Sequence, residues 1–261
     1  MDENKEIFVE TEGSICTLTL NRPEKRNSLT PESLRLLAEE FLKLAKTTEI
    51  RCVVIRGSGD RAFCSGYDIA AISEEEIAIE NGHPLTEAMR AVKSYPLPVI
   101  AMINGHAFGA GLELAATCDL RVCADDAKLA IPPVKLGVTY HYSGIKQFLN
   151  LVGPGFTREL FLTGNPVNAE RALEKGLVDH VVKRDKLEEF TYGIAEGISE
   201  NAPLSMMSMK KMINIWEQGG PLSEKNEELI RSLFAKVRKS GDSEEGKKAF
   251  LEKRKPVFKG E

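Results

Sequence analysis

The sequence predicts an α/β fold that ends in a helical segment. Apolar runs of strand length alternate with helical patterns over the first ~180 residues, which favours a parallel sheet over separate groups of strands and helices. From residue 186 onward the apolar spacing is almost entirely helical, with breaks near Pro203, Gly219 and Gly241. We expect an α/β core over 1–200 and a helical segment over 201–261, which is too short to bury a large core alone and should pack on the core or on a partner subunit.

Pattern and flanking residues predict the elements in chain order. Apolar runs that alternate or are rich in β-branched residues predict strands over 15–20, 52–56, 98–103, 120–123, 128–131 and 178–182. Helical spacing predicts helices from Pro31, over 74–90, from 109 or 110, and over 144–152, 157–162 and 169–175. Thr30 and Asn168 are the expected N-caps of the first and last of these helices.

Composition and charge exclude several classes of protein. Hydrophobic residues make up 42% of the chain and charged residues 28%, which is ordinary for a globular protein. The net charge of -4 argues against nucleic acid as a partner. The most apolar stretch, 96–118, is interrupted by Asn104, His106 and Glu113, so we expect no membrane span. The polar N-terminus and five scattered cysteines predict a cytoplasmic protein without a metal site.

Two glycine-containing turns each follow a buried strand, at 62–68 (AFCSGYD) and 105–111 (GHAFGAG). Parallel strands deliver such turns to one edge of the sheet, where ligands bind. Gly66 permits close approach of a ligand to the backbone, and the second turn opens a helix whose first N–H groups have no partner within the helix. One N–H from each turn could therefore converge on a single oxygen as an oxyanion hole. The alternative is that these glycines only make turns.

The segments 63–69 (FCSGYDI) and 104–115 (NGHAFGAGLELA) resemble the two signature turns of the crotonase, or enoyl-CoA hydratase/isomerase, superfamily. The similarity runs from Val9 to Phe258. It implies a crotonase-type core of repeated ββα units, assembly as homotrimers or homohexamers, and an acyl-CoA substrate held by the backbone N–H groups of Ser65 and Ala110. The further substrate contacts that it implies around the hole are Cys64, Gly66, Tyr67, Asp68, Ile69, Gly109 and Pro132.

Glu113 lies one helical turn after Ala110, so its side chain can approach the same pocket. The alternative is a salt-bridged surface glutamate, which its apolar neighbours disfavour. The resemblance implies that Glu113 matches one of the two catalytic glutamates of the hydratases, and that the second falls at Pro133. Adding water across a double bond needs both a base and an acid, so hydration and isomerisation are disfavoured.

Decarboxylation of a malonyl-type thioester avoids this difficulty, because the loss of carbon dioxide generates the enolate without a base. The segment 132–140 (PPVKLGVTY) is similar to that of decarboxylating members of the family, which also carry proline and tyrosine there. Tyr140 is the residue expected to orient the substrate carboxylate. The alternatives are a packing role for Tyr140, or the same task carried by His141 or Tyr142. Tyr67 stands where those decarboxylases have histidine.

The coenzyme A handle carries phosphates and an adenine. The resemblance places their contacts in the loop after the first strand, at Arg22, Lys25 and Arg26, and in the tail at Phe250 and Lys253. We expect no cofactor, since coenzyme A enters as part of the substrate. Two other functions stay open: hydratase or acyl-CoA hydrolase chemistry with Glu113 as the lone acid or base, and a non-catalytic acyl-CoA-binding protein.

Overall fold

Two sheets of mainly parallel strands form the core of the molecule, in a computed structural model that describes residues 5–71 and 83–261. The strands are β1 (Ile7–Glu12), β2 (Ile15–Leu20), β3 (Cys52–Gly57), β4 (Ala62–Cys64), β5 (Val99–Ile103), β6 (His106–Phe108), β7 (Leu120–Ala124), β8 (Lys128–Ala130), β9 (Val167–Asn168) and β10 (His180–Val182). The larger sheet has the order β1-β2-β3-β5-β7-β10, and the smaller sheet has the order β4-β6-β8-β9.

Helices cover these sheets and form the C-terminal part of the chain. They are α1 (Pro31–Leu44), α2 (Pro84–Ser94), α3 (Ala110–Thr117), α4 (Tyr142–Thr163), α5 (Ala169–Glu174), α6 (Leu187–Ser199), α7 (Pro203–Glu217), α8 (Glu224–Arg238) and α9 (Gly241–Glu252). The predicted α/β class with a helical C-terminal segment is confirmed. The predicted ββα repeat is visible in β5, β6 and α3, and again in β7, β8 and α4.

Strand register explains why the two glycine turns meet. β3 and β5 run parallel in the larger sheet, with Ile55 opposite Ala101. Each continues directly into a strand of the smaller sheet, β4 and β6, which also pair in parallel. The carboxyl ends of both pairs therefore lie at the same edge, and the turns that follow them, at 64–68 and 108–111, are neighbours.

Local sequence accounts for the helix ends. The Thr30 hydroxyl accepts the Ser33 N–H and forms a capping box, and the Asn168 side chain accepts the Arg171 N–H, so both predicted caps are confirmed. The two helices predicted over 144–152 and 157–162 are confirmed: they are the two parts of α4, which is interrupted at Gly153, whose φ of 70° is non-helical.

The helix predicted over 74–90 is confirmed over 84–90 and continues to Ser94. α2 runs from Pro84 to Ser94 and ends there because Tyr95 precedes a proline and is extended. The part of that prediction over 74–82 lies outside the described residues. The predicted strand over 178–182 is shorter, because the Leu177 and Val178 N–H groups still bond back to Ala172.

The C-terminal helices are fixed to the core by a shielded ion pair. The Lys210 ammonium of α7 donates to the Asp119 carboxylate at 2.5 Å and to the Leu97 carbonyl at 2.9 Å.

The opposite face of α7 is exposed and apolar, with Met209, Ile213 and Trp216 at helical spacing. Across the two described ranges, no helix is both long and apolar enough to cross a bilayer.

Candidate active site

Glycines bring the two turns into direct contact. A Cβ atom on Gly66 would lie 3.0 Å from the Phe108 carbonyl oxygen and 3.7 Å from the Ala110 nitrogen. A Cβ atom on Gly111 would lie 2.4 Å from the Cys64 carbonyl oxygen, closer than any side chain allows. Gly66 also has a φ of 107°, which L-amino acids rarely adopt. The close approach of the two backbones therefore depends on both glycines.

The second turn presents the Ala110 N–H as predicted. Ala110 is the first residue of α3, so its N–H has no partner within the helix. Gly109 precedes it with a φ of 52° and donates its own N–H to the Ala130 carbonyl at 2.9 Å. Among residues 5–71 and 83–261, no acceptor pairs with the Ala110 N–H. The start of α3 thus offers one donor at its positive end.

The first turn contradicts the prediction of Ser65 as the other donor. The Ser65 N–H donates to the Arg26 carbonyl at 3.0 Å, so it is already engaged. The resemblance identified the right turn but not the right peptide, because the direction of each N–H depends on pairing with a loop far away in sequence.

The same pairing shows which peptide of this turn faces Ala110. The Leu29 N–H donates to the Gly66 carbonyl and the Leu29 carbonyl accepts the Asp68 N–H, both at 2.8 Å. The peptide bonds are trans, so the Tyr67 N–H points opposite to the Gly66 carbonyl and away from Leu29. β4 lies between the Leu29 segment and β6, and the side away from Leu29 is therefore the side of Ala110. The second donor of the candidate hole is therefore the Tyr67 N–H and not the Ser65 N–H.

Glu113 and Tyr140 meet in the protein interior beside these turns. Glu113 is 5% exposed, which excludes the surface alternative. Gly144 of α4 touches both side chains: a Cβ atom there would lie 2.9 Å from Glu113 Oε1 and 2.5 Å from Tyr140 Cε1. In the described parts of the chain, neither Glu113 Oε2 nor the Tyr140 hydroxyl has a hydrogen-bond partner of normal geometry. Two unsatisfied buried polar atoms are costly, which is expected where a polar ligand group binds.

Burial shifts the pKa of both groups upward. It raises the pKa of the Glu113 carboxyl above its usual value of 4.5, and the neighbouring Tyr140 hydroxyl only partly opposes that shift. Burial also raises the pKa of Tyr140 well above its usual value, and the charge of Glu113 adds to the effect. The pair therefore favours two neutral groups, each able to donate a proton or a hydrogen bond.

The alternatives to Tyr140 face elsewhere. Tyr142 is 72% exposed, and the His141 ring nitrogen Nδ1 bonds Ser143 at the start of α4. Tyr140 packs edge-on against Phe161, with the ring centroids 5.1 Å apart, so the ring has a packing role as well. Of the three candidates, Tyr140 alone contacts the Glu113 pocket.

The position that the resemblance assigns to the second hydratase glutamate holds no ionisable group. Pro133 begins a short 3-10 helix, Pro133–Leu136, that follows Pro132 and ends at Gly137. Pro132 and Pro133 are both half-buried. A proline ring can neither donate nor accept a proton, so one of the two groups used for hydration is missing.

The other residues predicted around the hole have different surroundings. The Cys64 thiol is buried, and burial raises its pKa to about 12, so it stays protonated. The Tyr67 ring is half-buried, with its centroid 5.6 Å from that of His83. Ile69 opens a short 3-10 helix, Ile69–Ala71. The Asp68 carboxylate accepts a hydrogen bond from Arg22, and its N–H is bonded to Leu29, so Asp68 supports the turn from behind.

The predicted coenzyme A contacts divide into two groups. Lys25 and Arg26 are exposed beside the first turn, where the Ser65 hydroxyl donates to the Lys25 carbonyl at 3.3 Å. The structure contradicts Arg22 as a phosphate contact, because its guanidinium is bonded to Asp68 and Ser28.

Phe250 and Lys253 are not brought to the hole of their own chain. They lie at the end of α9, and the tail that follows them returns to the start of α7, where Gly260 packs against Pro203 and Arg51. Arg51 directly precedes β3, at the sheet edge opposite to the turns.

Within residues 5–71 and 83–261, no group of three or more His, Cys, Asp or Glu side chains could hold a metal ion.

The chain is similar to known proteins over almost its whole length. Residues 10–261 match the family model described as enoyl-CoA hydratase/isomerase. The chain is 33% identical over 256 residues to methylmalonyl-CoA decarboxylase of Escherichia coli (strain K12), covering 97% of this chain and 98% of that protein. It is 34% identical over 266 residues to carnitinyl-CoA dehydratase of Salmonella typhimurium, with coverages of 98% and 99%. A solved structure of enoyl-CoA hydratase from Bacillus anthracis superposes with a TM-score of 0.90 at 32% identity, over 98% of this chain and 100% of that one.

Proposed function

Because the chain belongs to the enoyl-CoA hydratase/isomerase family of acyl-CoA enzymes, we propose that it decarboxylates methylmalonyl-CoA or a similar malonyl-type thioester. The thioester oxygen binds between the N–H groups of Tyr67 and Ala110. The bond to the carboxylate breaks, carbon dioxide leaves, and the electron pair passes into the thioester as an enolate. The oxygen of that enolate is stabilised by the two donors, which are fixed before the reaction begins. A proton then adds to the α-carbon and gives the shortened acyl-CoA.

The observation that carries this proposal is the pair of buried, unsatisfied polar atoms on Glu113 and Tyr140, combined with proline at 133. The Tyr140 hydroxyl donates to the substrate carboxylate and orients it. Because burial raises the pKa of Glu113, its neutral form is favoured, does not repel the substrate carboxylate and can supply the proton for the α-carbon. No step needs a cofactor beyond the coenzyme A of the substrate.

A second candidate is dehydration or hydration of an acyl-CoA with Glu113 as the lone acid or base. The similarity to carnitinyl-CoA dehydratase at 34% identity favours this alternative. The two functions differ in their products. Incubation with malonyl-, methylmalonyl- and ethylmalonyl-CoA should release carbon dioxide if the first is right. Water addition to an enoyl-CoA without any carbon dioxide release would establish the second.

We also propose that the chain works as a homotrimer or homohexamer in the cytoplasm. The exposed apolar side chains on α7 and α8, Ile213, Trp216 and Phe234, provide a surface for subunit contact. The distance of Phe250 and Lys253 from their own hole supports a role at the nucleotide end of coenzyme A bound to a neighbouring subunit. The cytoplasmic assignment rests on the cysteines, all of which are buried and free.

Replacing Tyr140 with phenylalanine tests the orienting hydroxyl. We expect carbon dioxide release from methylmalonyl-CoA to fall by about tenfold or more, because a hydrogen bond to a charged group contributes about 1.5–3 kcal/mol. The affinity for acetyl-CoA, which has no carboxylate, should stay near normal. Tyr142→Phe is the matched control, because Tyr142 is exposed and should tolerate the change. An unchanged rate in Tyr140→Phe would leave Tyr140 with packing alone.

Replacing Glu113 with glutamine tests the buried carboxyl through stability. A folded-state pKa above the unfolded value means that the folded protein binds more protons, so the stability of the native protein should fall as pH rises through the folded pKa. Glutamine keeps the shape and never ionises. The melting temperature of Glu113→Gln should therefore exceed that of the native protein at pH 8, and the difference should shrink toward pH 4. A constant difference across this range would contradict the raised pKa.

A further inference from the structure

The loop between β2 and α1 supports the first turn, at 64–68, on the side away from Ala110. This loop covers residues 21–30 and is joined to the turn by four backbone or hydroxyl hydrogen bonds: Ser65 N–H to the Arg26 carbonyl, Leu29 N–H to the Gly66 carbonyl, Asp68 N–H to the Leu29 carbonyl, and the Ser65 hydroxyl to the Lys25 carbonyl. Two of these bonds fix the peptide between Gly66 and Tyr67: Leu29 binds the carbonyl of that peptide and the N–H of the next one, at Asp68. The direction of the Tyr67 N–H therefore depends on the position of Leu29.

Arg22 connects the two segments that pair here, the 21–30 loop and the 64–68 turn. Its Nη1 donates to the Ser28 carbonyl at 2.9 Å and to the Ser28 hydroxyl at 3.1 Å, directly before Leu29. Its Nη2 donates to Asp68 Oδ2 at 3.1 Å, directly after Tyr67. Its Nε lies 3.4 Å from Glu6 Oε1, and the Glu6 carboxylate also accepts the Thr30 hydroxyl at 2.5 Å. A single guanidinium thus spans both sides of the Leu29–Tyr67 pairing.

This ion pair differs from an ordinary surface contact. The side chains of Arg22 and Asp68 are only 17% and 20% exposed, so solvent screens them less than a free surface pair. The planar guanidinium carries its donors on three nitrogens in a fixed geometry, whereas lysine has one nitrogen and cannot reach groups on both sides of the Leu29–Tyr67 pairing at once. Removing Arg22 would leave the mostly shielded Asp68 carboxylate without this ion-pair partner.

We infer that Arg22 is a positioning residue for the oxyanion hole, acting through Asp68 and Ser28 to aim the Tyr67 N–H at the substrate carbonyl. The inference rests on the proposed function only in its use of a thioester bound at this hole. Arg22 itself does not touch the substrate. Arg22 therefore contributes to stabilisation of the transition state, which depends on donor alignment, and not to the affinity for the coenzyme A part of the substrate.

The test uses Arg22→Lys, which keeps the charge but loses the planar fork, and Asp68→Asn, which keeps the volume but loses the charge. Each should lower kcat for carbon dioxide release from methylmalonyl-CoA by about 10- to 100-fold, as expected for a small misplacement of a catalytic group, while KM changes by less than about threefold. The double variant should lose little more than either single one, because both act through the same contact. Arg171→Gln is the control, since Arg171 forms a bidentate pair with Glu159 away from the turns and should leave kcat unchanged.

A spectroscopic measurement separates this inference from the reaction itself. The infrared carbonyl band of bound [1-¹³C]propionyl-CoA reports hydrogen bonding in the hole whether or not the protein decarboxylates anything. We expect the band to lie lower in the native protein than in solution, and part of that shift to be lost in both variants. If Arg22→Lys does not fold, as judged by circular dichroism, Asp68→Asn carries the test.

The outcomes are distinguishable. A full shift in folded Asp68→Asn, with kcat near normal, would overturn the positioning role and leave the proposed function intact. A shift lost in the variants would support the positioning role even if no malonyl thioester is a substrate. No shift in the native protein would overturn the hole and this inference together.

Discussion

Hydration of crotonyl-CoA should be slower than decarboxylation of methylmalonyl-CoA, and about 10²- to 10⁴-fold slower than in a hydratase that has both glutamates, because one positioned acid or base typically contributes a factor of that size. The site retains Glu113 in its buried pocket, but Pro133 occupies the position of the second group. Both rates can be measured on one preparation, by loss of enoyl absorbance and by carbon dioxide release.

Pro133→Glu is the informative companion variant. A glutamate at this position would restore an acid or base near the substrate, so crotonyl-CoA hydration should rise while decarboxylation stays the same or falls. Pro133→Ala is the matched control, because it removes the ring without adding a proton carrier. Fast hydration by the native protein, with no carbon dioxide release from any malonyl thioester, would defeat the decarboxylase proposal.

Replacing Ala110 with proline should lower turnover by about 10²- to 10³-fold, the loss that follows removal of one oxyanion donor in a well-studied hydrolase. Proline lacks the N–H and is tolerated at the first position of a helix, which is where Ala110 lies. Glycine precedes it, so the backbone restriction that proline imposes on its neighbour is easier to meet. Ala110→Gly is the control, because it removes the methyl group but keeps the donor.

The Ala110→Pro result can be interpreted only for a folded protein. Circular dichroism and the assembly state must match those of the native protein before the rate is interpreted. A folded and assembled Ala110→Pro protein with near-normal turnover would mean that the hole lies elsewhere.

Local sequence was sufficient for the features that depend on neighbours in the chain. The N-cap at Thr30, the helix that begins at 109 or 110, and the placement of Glu113 one turn after Ala110 all follow from spacing and propensity, and the structure confirms them. The burial of Glu113 was predicted from its apolar neighbours in the same helix. The resemblance to known turns added the identity of the hole.

The errors share one physical cause. Ser65 was predicted as a donor because the motif contains it, but its N–H is bonded to Arg26, 39 positions earlier in the chain. Arg22 was predicted to contact phosphate because of its loop, yet its partner Asp68 lies 46 residues away. Contacts between distant segments decide which of several suitable groups faces the substrate.

The vibrational frequency of a bound thioester carbonyl tests the central claim most directly, because it reports the two donors without assuming a reaction. With [1-¹³C]acetyl-CoA, the native protein should lower the carbonyl stretch relative to the free ligand. Ala110→Pro should return it part of the way, while Ala110→Gly should not. A carbonyl band at the solution frequency in native protein that has bound the ligand would contradict the oxyanion hole between Tyr67 and Ala110.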